Sequence, residues 1–190
     1  MVARRWMLFV DGENFTIRAQ ALAQELGLKL QEGKYFMRDV FVWMPNRQGR
    51  FHYFSNDPSG LRDSALRAYY YTSVIGDEDK LLAVKILLRA LDFEPRVFKR
   101  EKGQAKSKGV DITLTTEMLS DAFLDNYDAA MLVAGDGDYL PLMREVKRRG
   151  KLVCLAFFRR EGYGLHHDLL LEADYFYDLE SFFVQGWRQR

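Results

Sequence analysis

The run Trp6-Met7-Leu8-Phe9-Val10 is apolar at every position and stops at Asp11-Gly12. A strand exposed on one face alternates apolar and polar residues, so an unbroken run predicts a strand buried on both faces, as in a parallel sheet. Ala129 to Ala134 repeats the pattern before Gly135-Asp136-Gly137-Asp138, and Leu152 to Phe158 is a further buried run. Ala68 to Thr72 and Arg96 to Phe98 add two more candidate strands. Between them lie helical spacings. Phe15, Ala19, Leu22 and Leu26 recur before Gly27; Leu81, Val84, Leu88 and Leu91 mark a helix over 77–91; Leu114, Met118, Leu119 and Ala122 mark one from Asp111 to Phe123. Leu142, Met143 and Val146 place another over 139–149, and 165–173 is a last, shorter candidate. Parallel neighbours require crossover connections, so this alternation predicts an α/β fold with a mostly parallel sheet and helices on both faces.

A chain of 190 residues is the size of one α/β domain, and a single domain over 1–190 is expected. A formal net charge of +1 excludes a whole-molecule field for polyanions, so any nucleic-acid contact must come from a local basic patch. Cys154 is the one cysteine, which excludes an internal disulfide and a thiolate metal cage. The apolar stretch after Arg4-Arg5 ends at Val10, too short for a signal peptide or a membrane span, and a cytoplasmic protein with no membrane partner is expected. No Gly-x-Gly-x-x-Gly follows the first strand, which argues against a dinucleotide site.

Strand ends in a parallel sheet form the ligand crevice, so Asp11, Asp136 and Asp138 are predicted to face one site. The segments Asp11-Gly12-Glu13-Asn14, Arg67-Ala68-Tyr69-Tyr70-Tyr71, Lys108-Gly109-Val110-Asp111 and Gly135-Asp136-Gly137-Asp138-Tyr139 resemble, in order and spacing, the NYN domain family, which has a PIN-like nuclease fold. The resemblance runs from the first strand to the segment 173–179. It implies a three-layer α/β/α domain with a central mostly parallel sheet, and a cluster of acids holding Mg2+ or Mn2+ for cleavage of RNA. It carries Asp11, Asn14, Asp111, Asp136 and Asp138 onto the acidic pocket. Ala134 stands where the family pattern often has Ser or Thr, removing a hydroxyl that could orient a carboxylate or a water. The region 35–63 is longer than the family minimum and reads as a hairpin insertion, either an oligomerisation arm or a substrate-shaping insert.

Several aspartates without His or Cys suit magnesium, a hard cation that takes oxygen ligands and keeps its waters. Asp11, Asp136 and Asp138 are expected to ligate the ion, Asp111 to contribute from a helix start, and Asn14 to position a water or phosphate oxygen. Without the resemblance, Asn14 reads equally as a helix cap and Asp111 as a favourable first-turn charge. Glu13 reads as a solvated loop acid, and Asp174 stands between site and structural duty. Lys99, Arg100, Lys102, Lys106 and Lys108 flank a polar link and form a candidate RNA-contacting arm. The expected function is a metal-dependent ribonuclease acting on single-stranded or flexible RNA, with a low-activity RNA-binding module as the alternative.

Overall fold

A computed structural model of the chain describes residues 4–28, 36–37, 40–41, 61, 65–101, 108–160, 162 and 164–180. The chain begins with β1 (Trp6–Asp11) and α1 (Gly12–Glu25), then a short antiparallel pair, β2 (Phe36–Met37) and β3 (Val40–Phe41). β4 (Arg67–Val74), α2 (Glu78–Ala90) and β5 (Glu94–Lys99) follow, then α3 (Lys108–Phe123) and β6 (Ala129–Val133). A 3₁₀ turn (Gly137–Tyr139) leads into α4 (Leu140–Arg148), β7 (Leu152–Phe157), α5 (His167–Glu172) and β8 (Tyr175–Asp178).

Six strands form one sheet in the order β5-β4-β1-β6-β7-β8, every neighbouring pair parallel. Along β1 the side chains alternate between two cores, as the strand period of two requires. Trp6, Leu8 and Val10 pack with Phe15, Leu22, Leu81, Val84 and Leu88 of α1 and α2. Met7 and Phe9 pack with Val110, Leu114, Met118, Leu142, Val146 and Leu169 of α3, α4 and α5. The result is three layers, α/β/α, as the sequence predicts. Both β4 and β6 flank β1, so the chain winds outward in one direction through β5 and returns on the other side of β1 through β6. That reversal opens a crevice at the carboxyl ends of β1 and β6.

Several boundaries differ from expectation. α1 starts at Gly12 rather than Asn14, because Asp11, not Asn14, is its N-cap: Asp11 Oδ1 accepts from the Asn14 amide at 3.0 Å. Gly12 is required there by contact, since a Cβ would lie 2.2 Å from Tyr70 Cε1. α3 starts at Lys108, three residues before Asp111, which keeps Asp111 in its first turn. β8 was not anticipated as a strand. Within the predicted hairpin insertion over 35–63, Phe41 pairs with Phe36 in the β2–β3 ladder, and 42–60 lie outside the described residues. Among the described residues no helix is long and apolar enough to cross a membrane.

Candidate active site

Asp11 ends β1 with the same side-chain parity as Met7 and Phe9, so it points to the α3 side of the sheet. Asp11 is 2% exposed, and its carboxylate is divided between two tasks. Oδ1 caps α1, while Oδ2 receives the Tyr139 hydroxyl at 3.0 Å. The same hydroxyl lies 3.1 Å from Oδ1 of Asp111 on α3. Two acids a hundred residues apart in sequence thus meet at one phenol oxygen. Burial, then the negative charges of Asp11 and Asp111, hold that phenol protonated far above its ordinary range. A phenol has one proton, so this hydroxyl donates to one of the two carboxylates at a time.

Asn14 is buried and holds the neighbouring turn. Its Oδ1 accepts from the Gly135 amide at 2.9 Å, tying the first turn of α1 to the end of β6. Asp136 begins the 3₁₀ turn and accepts from the Asp138 amide at 3.2 Å. Asp138 is exposed on that turn. The structure therefore joins Asp11 to Asp111, places Asp136 beside Asn14, and leaves Asp138 toward solvent. Among the described residues, no three acid, His or Cys side chains are drawn together closely enough to cage a metal as they stand. Asp11 and Asp111 do fit a magnesium ion, which is commonly held by one or two carboxylates and keeps several waters for a substrate phosphate to replace.

Other candidates separate into structural and peripheral roles. Glu13 is not a solvated acid: it is buried and receives the Ser73 hydroxyl. Asp174 is structural, accepting from the Val153 amide at 2.8 Å with Lys147 Nζ 3.4 Å away. Lys99 is exposed at the end of β5. Arg100 lines, with Glu13 and Ser73, a cavity of about 90 Å³ at the same edge of the sheet. Lys108 is the first residue of α3, and Lys102 and Lys106 lie outside the described residues. Tyr139 is the residue whose role the sequence reading overlooked; the available signal was a hydroxyl-bearing residue directly after tandem acids.

Behind the acids, α3 is fixed to the sheet by a polar anchor. The Tyr71 hydroxyl donates to Glu117 Oε2 at 2.7 Å, and Arg96 Nε donates to Oε1 at 2.7 Å. Tyr71 is the β4 residue in register with Asp11. The anchor therefore sets the helix that carries Asp111 relative to the strand that carries Asp11.

The fold and site together define a three-layer α/β/α domain that presents acids at the carboxyl edge of a parallel sheet, at its topological switch. The family model for the NYN domain matches residues 5–180, and the chain belongs to that family, whose members are generally nucleases. No curated protein matches the chain. Among solved structures, a Vibrio parahaemolyticus protein of unknown function is 19% identical, with 95% of each chain covered and a TM-score of 0.61, and shares the fold. A putative UDP-N-acetylglucosamine 2-epimerase from Listeria monocytogenes is 11% identical over 98% of this chain and 43% of its own, with a TM-score of 0.36.

Proposed function

We propose that the protein is a metal-dependent ribonuclease that hydrolyses phosphodiester bonds in single-stranded or flexible RNA, with Mg2+ or Mn2+ held at Asp11 and Asp111. The observation that carries this reading is the single phenol proton shared by two carboxylates. Two carboxylates that converge on one hydroxyl repel each other, and a hydrated divalent cation is a chemically apt partner that relieves that repulsion. When bound, such an ion supplies a water acidic enough to attack phosphorus and positive charge to offset the leaving oxygen.

The chain's own residues supply position. Tyr139 holds the two carboxylates at a fixed separation, and the Asp11 cap fixes its carboxylate against α1. Asn14 keeps the β6 turn, and with it Asp136, against the same helix. Asp136 and Asp138 add negative charge at the mouth, and Lys99 and Arg100 stand at the sheet edge as phosphate contacts. An unstructured strand suits this edge, because its nucleotides can splay out and reach the acids.

A binding module with little turnover is the second reading, favoured by Ala134, which is buried at the end of β6 and offers no hydroxyl to the turn. Incubation of the purified protein with mixed structured and unstructured RNAs in magnesium, manganese or chelator separates the two. Cleavage of the unstructured pool, abolished by chelator, supports the nuclease. RNA binding without cleavage in either metal supports the module instead.

A further inference from the structure

Next to the Asn14–Gly135 contact lies a second feature, whose Arg18 and His166 have no part in the reaction above. A solvent-open cavity of about 330 Å³ is lined by the first turns of α1, the turn after β6 and the segment that precedes α5. Its size falls at the lower end of small-ligand sites, roughly 300–1,000 Å³. Asn14 and Arg18, one helical turn apart on α1, form one wall, and Leu165 and His166 form the other; Asp136 also lines the space.

The polar groups of these walls are matched to an acceptor-rich ligand. Arg18 Nε is buried, and among the described residues nothing accepts its hydrogen bond. The guanidinium is permanently charged and presents a planar fork suited to phosphate. Its placement is built into the backbone: Gly164 has φ +74°, and a Cβ there would lie 2.4 Å from Arg18 Nη2. On the opposite wall, His166 Nδ1 accepts from the Asp168 amide at 3.3 Å, so the neutral ring carries its proton on Nε2. The His166 amide donates to Gly135 O at 2.9 Å, which fixes this wall to the β6 turn. Asn14 has its oxygen engaged by Gly135, which leaves Nδ2 as the donor it can offer. Ile17 and Leu165 supply apolar surface beside the imidazole.

We propose that this cavity is a nucleotide subsite for the RNA strand, seating the phosphate of the nucleotide adjacent to the cleaved bond on Arg18 and its base against His166 and Leu165. The assignment rests on the reading of the acid pair as an RNA-cleaving site and names the subsite that would position the strand there. An Arg contact to phosphate contributes affinity that weakens with salt, whereas stacking on an aromatic ring contributes affinity that salt changes little. The two walls therefore have separable signatures.

The test is binding of a fluorescein-labelled hexauridylate RNA in chelator, where no metal-dependent cleavage occurs, measured by anisotropy across a series of salt concentrations. Arg18→Met is expected to weaken binding about tenfold and to lower the log–log salt slope by about 0.7, the loss of one single-strand phosphate contact. His166→Asn keeps a good α5 cap while removing the ring, and is expected to weaken binding at least threefold with the salt slope unchanged. Should Arg18→Met fail to fold by circular dichroism, the His166→Asn result decides. Wild-type affinity in both variants, or in His166→Asn when it stands alone, overturns the subsite. Arg18-dependent binding by a protein that cleaves nothing in magnesium or manganese removes the nuclease reading and leaves a nucleotide-binding subsite standing.

Discussion

A phenol between two carboxylates is a compact way to hold like charges together. Tyr139 is buried, its hydroxyl reaches Asp11 and Asp111, and its ring packs in the α3–α4 core. Tyr139→Phe keeps the ring and removes only the hydroxyl. The variant is expected to fold and to lose about 1–2 kcal/mol of stability, the cost of leaving a buried carboxylate oxygen without its donor. Mg2+-dependent cleavage is expected to fall roughly tenfold, about 1.4 kcal/mol of transition-state stabilisation. Thermal melts and initial rates check both; a rate equal to wild type would remove Tyr139 from the site. The identity of this residue was visible in the sequence, but its partner was not. Tyr139 meets Asp11 across 128 positions, a contact that no local periodicity encodes. Arg18 and His166 were opaque for the same reason: each sits on a partly solvated surface that carries no pattern, and only the fold brings them to one cavity.

At the scale of elements, the β1–α1 junction joins folding to chemistry, because one carboxylate both caps the helix and faces Asp111. Asparagine caps a helix as well as aspartate does, whereas alanine costs about 1 kcal/mol. Asp11→Asn is therefore expected to melt close to wild type, and Asp11→Ala to melt lower by about that amount, while both lose cleavage. Chemical denaturation and an RNA assay on the pair separate the two duties; equal melting of the variants would show that the cap contributes nothing. Elements whose burial is strongly one-sided were legible beforehand. Leu81, Val84 and Leu88 drew α2 to within a residue of its ends, with Asp77 as cap, and β1, β6 and β7 followed from unbroken apolar runs. β8 was not legible. It is a four-residue edge strand, Tyr-Phe-Tyr-Asp, with no fully buried position, and follows a six-residue helix that leaves little periodicity to read.

For the whole molecule, the parallel topology converts sequence into a site: strands that all run one way deliver Asp11 and the Asp136 turn to a single edge. The same topology buries several tyrosines. Burial holds Tyr70, Tyr71, Tyr127 and Tyr139 protonated well above the ordinary phenol range. Their folded pKa values are raised, so their contribution to stability is full below about pH 10 and declines as pH rises beyond it, where only the unfolded chain ionises. Absorbance titration at alkaline pH is expected to show these groups ionising together with loss of circular dichroism. Complete ionisation near pH 10 with the fold intact would contradict the burial assigned to them. The convergence of Asp11 and Asp111 is tested most directly by the initial rate of magnesium-dependent cleavage of an unstructured RNA by Asp111→Asn, in protein shown to be folded. A fall of about a hundredfold or more is predicted, and a rate matching the wild type would show that the carboxylate beside Asp11 takes no part in the chemistry.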